Sequence, residues 1–183
     1  MPPLLFLDVD GTLIPFGGPG PYREYGTSSH PLLPRLDPAL GPRLLALGCT
    51  PVWATTWLDE ANELLSPWLG LPPLGVVDWP EDAEVPAGRC GAALHWKTRV
   101  LVERAAGRPF VWLDDEIGDA DRAWVRAHHP GPALLRRIDH RYGVGEEDFA
   151  AVRAWAAEAD RGGWRGRASG AQRVDGLHAG GPE

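Results

Sequence analysis

The stretch FLDVDGTL, residues 6–13, closes an apolar run with two carboxylates, Asp8 and Asp10, followed at once by Gly11 and Thr12. Like charges one residue apart repel, and a carboxylate withdrawn from water is unfavourable unless something positive compensates it. Either the run ends in solvent or the carboxylates meet a cation. Two further apolar runs end in groups capable of chemistry. TPVWATTW ends in Thr55 and Thr56, and FVWLDDE ends in Asp114 and Asp115. The only lysine of the chain, Lys97, precedes the second of these runs. A divalent cation together with Lys97 would offset most of the charge of the four carboxylates if all these groups met in one place.

The apolar runs at residues 4–9, 50–54, 75–77 and 109–113 read as strands. A fifth, at 133–138, carries Arg136 and Arg137 and suits a sheet edge. Helical patterns fall between them. Asp37-Pro38 reads as a helix start, with Gly48 as its stop. A second helix is expected over 59–69, kinked or broken at Pro67, and a third over 97–106 ending at Gly107. Two more are expected over 120–128 and 146–159. This alternation predicts an α/β fold, a Rossmann-like parallel sheet of about five strands with helices on both faces. In such a sheet ligands bind beyond the carboxyl ends of the strands. Asp8, Asp10, Thr55, Asp114 and Asp115 all stand at those ends, and Lys97 opens the helix before the fourth strand. Residues 15–35 are rich in Gly and Pro and too long for an ordinary connection, so they read as a loop or small hairpin flap over the site. Residues 161–183 carry little apolar content and are expected to be a disordered tail on a domain spanning 1–160.

Composition bounds the remaining choices. A chain of 183 residues with 44% apolar and 23% charged residues fits one globular domain with its own core. A formal net charge of −7 disfavours nucleic-acid binding by bulk charge and suits a cation. Cys49 and Cys90 have no metal-ligand spacing and give no disulfide framework, so a reducing, cytoplasmic setting is expected. No apolar run approaches the roughly 18 residues of a membrane span, and the N-terminus lacks a secretory pattern, so no membrane partner is expected.

With these pieces in place the chain resembles the haloacid dehalogenase-like phosphohydrolase superfamily. DVDGT matches its first motif, a threonine after an apolar strand its second, a lysine its third, and an apolar run ending in DD its fourth, in the family's order. VWATTW, HWK and FVWLDDE are similar, more narrowly, to a compact cap-less type found in bacterial hypothetical and RNA-repair proteins. The resemblance implies an Mg²⁺-dependent phosphatase acting on a phosphorylated substrate through an aspartyl-phosphate. It implies Asp8 as nucleophile and Asp10 as general acid and base. It also implies Thr55 as a hydroxyl on the phosphoryl group and Lys97 as its charge balance. Mg²⁺ would be held by Asp8, Asp114 and Asp115 with the main-chain carbonyl of Asp10, an all-oxygen set. Gly11 and Thr12 would turn the backbone so that its amides face phosphate oxygens.

Ordinary structural roles compete with these. Asp114 and Asp115 could cap a helix, Thr55 or Thr56 could simply end a strand, and Lys97 competes with Arg89 and Arg99. Thr55 is preferred over Thr56 because it follows the apolar run immediately. His95 reads as structural. Asp119 and Asp121 read as helix caps, with Asp119 as a secondary support for the metal. Trp53, Trp57, Trp96 and Trp112 lie beside the motifs; packing of the sheet is the favoured role, with Trp57 the best exception. Two rival functions are a nucleic-acid end-processing phosphatase using Arg161, Arg165, Arg167 and Arg173, which the net charge disfavours, and a binding domain with little turnover. The flap leaves no room for a large cap before the second strand.

Overall fold

A computed structural model describes residues 1–80 and 93–161. Arg89, Cys90 and the tail beyond Arg161, including Arg165, Arg167 and Arg173, lie outside the described residues. Five strands, β1 (Leu4–Leu7), β2 (Thr50–Trp53), β3 (Gly75–Val76), β4 (Phe110–Asp114) and β5 (Ala133–Arg137), form one sheet in the order β3-β2-β1-β4-β5. Every neighbouring pair is parallel, which makes this a Rossmann-like α/β fold. The central strands β1 and β4 are buried along their whole length, as their unbroken apolar runs require.

Alternate residues face opposite layers. Leu5, Leu7, Val111 and Leu113 share one core cluster with α1 (Leu40–Leu45), α2 (Ser66–Leu69) and α5 (Glu146–Arg161). Phe6, Phe110 and Trp112 share the other with α3 (Lys97–Ala105) and α4 (Asp119–His128). β5 pairs with β4 alone and forms the edge that its arginines suggest; Arg136 Nε bonds Asp148 Oδ1 of α5 at 2.5 Å.

Two local expectations need correction. Asp37 caps a turn rather than the helix proper: its Oδ1 accepts the Ala39 amide at 2.9 Å, and α1 begins at Leu40. Pro67 neither breaks nor sharply ends the second helix. Proline has no N–H to give, and the chain ahead of it widens into a π-helical turn, Ala61–Leu65, that runs straight into α2. Of the two alternatives for residues 15–35, the loop is the one observed: it ends in a single 3₁₀ turn, Leu33–Arg35, and holds no strand and hence no hairpin. That loop is tied down at both ends, by Phe16 N–H to His140 O at 2.8 Å and by the His30 ring against Trp57 at 4.9 Å between centroids. Among the described residues no helix is long and apolar enough to cross a membrane.

Candidate active site

The connections from β1 and β4 leave towards opposite sides of the sheet, so a crevice opens between the carboxyl ends of these adjacent strands. Asp8 follows β1 and Asp114 ends β4, which puts both in that crevice. The carboxylates of Asp8, Asp114 and Asp115 are buried and offer oxygens that all lie within 4.8 Å of one another. Such an all-oxygen group could hold a metal ion.

Lys97 enters the cluster from the first turn of α3. Its Nζ donates to Asp8 Oδ1 at 2.6 Å and to Asp114 Oδ2 at 2.8 Å, and the residue is only 5% exposed. Fully ionised, three carboxylates against one ammonium would leave a surplus of two negative charges. Burial is the main reason the Asp8 carboxyl is pushed up to about 8; Lys97 pulls it down, but Asp114 and Asp115 add to the rise. Burial also works against the charge on Lys97, yet Asp8 and Asp114 together outweigh it and hold the ammonium above its usual value. Both members of the pair rise, Asp8 through burial and its acidic neighbours and Lys97 through the two carboxylates it bridges. One cation serves two acids, and the site as a whole stays short of positive charge.

The turn after β1 explains Gly11 and Thr12. Gly11 has φ +80°, and a Cβ there would lie 2.6 Å from the Asp115 carboxyl carbon, so only glycine fits. Thr12 Oγ1 donates to Asp8 Oδ2 at 3.3 Å. The amides do not point outward as expected. Gly11 N–H bonds Ile14 O and Thr12 N–H bonds Val9 O, because a turn this tight satisfies its own backbone. Asp10 is half-buried, and its side chain does not join the three-carboxylate group. It accepts the Trp57 indole N–H on Oδ2 at 2.9 Å. Thr55 is buried at the end of β2 and Thr56 is exposed. Thr55 Oγ1 accepts the Trp57 amide at 3.3 Å.

Several residues at the site differ from their sequence expectation. Asp121, not Asp119, is the buried acid of α4. It accepts Thr98 Oγ1–H at 2.5 Å, the His95 amide at 2.8 Å and the Gly118 amide at 2.8 Å, and so clamps the start of α3 to the start of α4. Asp119 is exposed. His95 Nδ1 accepts the Lys97 amide at 3.2 Å. The tryptophans pack, but their indoles also orient the site. Trp112 donates to Asp114 Oδ2 at 3.2 Å and Trp79 to Thr55 O at 3.0 Å. The i, i+2 spacing of Trp112 and Asp114, which puts both on one face of a strand, was the available signal. No protein-family model, curated protein or solved structure matches the chain.

Proposed function

We propose that the chain is an Mg²⁺-dependent phosphomonoester hydrolase of the haloacid dehalogenase type, working through an aspartyl-phosphate on Asp8. The observation that carries this reading is Lys97 bridging Asp8 and Asp114 in a buried three-carboxylate cluster at the crevice between β1 and β4. The donor set is all oxygen and, fully ionised, would carry two surplus negative charges, which fits a hard divalent ion. Asp8, Asp114 and Asp115 would hold it. Bound there, Mg²⁺ supplies charge compensation and polarises a phosphoryl oxygen.

The chain's own residues then divide the work. Asp8 Oδ attacks phosphorus, and Lys97, fixed between two carboxylates, offsets negative charge on the phosphoryl group. The Thr55 hydroxyl, whose oxygen already accepts the Trp57 amide, keeps its own proton to donate to a phosphoryl oxygen. Asp10 gives a proton to the leaving oxygen and later takes one from the attacking water. A panel of phosphorylated compounds tests this with Mg²⁺ present and then chelated by EDTA. Release of inorganic phosphate should require both Mg²⁺ and Asp8. Turnover that survives Asp8→Asn would remove the nucleophile assignment, and no turnover on any phosphomonoester would remove the reading.

A further inference from the structure

We infer that Trp57 is a positioning residue for Asp10, holding one carboxyl oxygen and leaving the other to exchange a proton. The inference rests on the phosphatase reading above. Trp57 follows β2, while Asp10 follows β1, and the 2.9 Å bond from Nε1 to Oδ2 ties the two strand ends together. An indole N–H donates and cannot accept. Asp10 Oδ2 is therefore taken up by the indole, and Oδ1 is left as the oxygen available for proton transfer. A carboxyl group with no such partner has two nearly equivalent oxygens and a broad, two-fold terminal torsion. The indole removes that ambiguity.

Trp57 is itself held from three sides. Its ring packs on the core that contains Trp53, its amide bonds Thr55 Oγ1 at 3.3 Å, and the His30 ring from the 15–35 loop lies 4.9 Å away at 54°. One residue thus orients the acid–base carboxyl through its side chain and the Thr55 hydroxyl through its backbone. In the first half-reaction an Asp8 oxygen bonds phosphorus, the ester P–O bond breaks, and the leaving oxygen takes the proton from Asp10 Oδ1. In the second, Asp10 Oδ1 takes a proton from water as the water oxygen bonds phosphorus. The Asp8–phosphorus bond breaks, inorganic phosphate leaves, and Asp10 is protonated again.

Trp57→Phe deletes the indole N–H and keeps a ring against His30 and the backbone amide. The readout is kcat/KM on two substrates of the same preparation. Glycerol phosphate expels an alkoxide that needs the proton, and p-nitrophenyl phosphate expels a phenolate that hardly does. kcat/KM covers the steps up to leaving-group departure, and its ratio between the substrates does not depend on the folded fraction. General acid catalysis contributes about 10²–10⁴-fold, so loss of its alignment should lower the alkyl-to-aryl ratio by roughly tenfold or more. An unchanged ratio, with or without a drop in both activities, would show that Trp57 is merely structural while the phosphatase reading stands. A wild-type protein inactive on both substrates would overturn that reading and the inference with it.

Discussion

Replacing Asp8, the proposed nucleophile, with Asn should stabilise the metal-free protein. Asp8 is buried beside Asp114 and Asp115, and its carboxyl is pushed from 3.8 up to about 8. A carboxyl with a raised folded-state value keeps its proton where the unfolded chain has lost it. Stability therefore falls as pH rises from about 4 to about 8 and levels off above that. Asn has nearly the same shape and no charge, so Asp8→Asn removes this slope. Each pH step above the ordinary carboxylate value is worth about 1.4 kcal/mol, which sets a ceiling of about 4 kcal/mol at neutral pH. That value already includes the attraction of Lys97, whose Nζ lies 2.6 Å from Asp8 Oδ1, and the Asn side chain reproduces its hydrogen bond only in part. A net gain of about 1–3 kcal/mol remains, or about 2–10 °C in Tm for a domain of this size. Melting curves in EDTA at several pH values read it directly. The variant should melt higher at neutral pH, the gap should close towards pH ~4, and added Mg²⁺ should raise the wild type more than the variant. A variant that melts several degrees below wild type in EDTA would show that Lys97 fully compensates Asp8.

Asp121→Ala strands three donors, from His95, Thr98 and Gly118, and should lower stability by about 2–4 kcal/mol in urea titrations while also weakening turnover through displacement of Lys97. Gly41→Ala should lower Tm, because the new Cβ would lie 1.8 Å from the Leu69 carbonyl oxygen and must force α1 off α2, at about 1–3 kcal/mol. Asp114→Ala should weaken Mg²⁺ binding by calorimetry, and an unchanged affinity would take Asp114 out of the metal site.

The sheet was legible because its chemistry interrupts its packing. β1 and β4 are apolar runs that stop at Asp8 and Asp114, and the parallel-sheet rule alone brings those ends together. Lys97 stood out because the chain holds no other lysine and the family resemblance calls for one at that point. Asp121 caps its own helix as read, but its grip on Thr98 and His95 escaped because those partners belong to a different part of the chain. The Trp57–Asp10 bond spans 47 residues and depends on how β2 ends beside β1. The Gly11–Thr12 amides face inward for a local reason: the turn needs Val9 O and Ile14 O as acceptors, so those donors are already used. The π-helical turn before Pro67 reflects a tertiary anchor, the Trp53 indole bonded to Asn62 Oδ1 and Ser66 Oγ at 3.2 Å each, which no propensity encodes.

The proposed covalent step can be tested directly. The protein is mixed with a phosphomonoester that it hydrolyses, in Mg²⁺, quenched in acid within a turnover, digested and analysed by mass spectrometry. A phosphoryl adduct should appear on the peptide that holds Asp8, be removed by hydroxylamine, and be missing from Asp8→Asn and from samples quenched in EDTA. Phosphate release at the full rate with no adduct on Asp8 at any quench time would mean that water attacks the substrate directly, and the nucleophilic role of Asp8 would have to be abandoned.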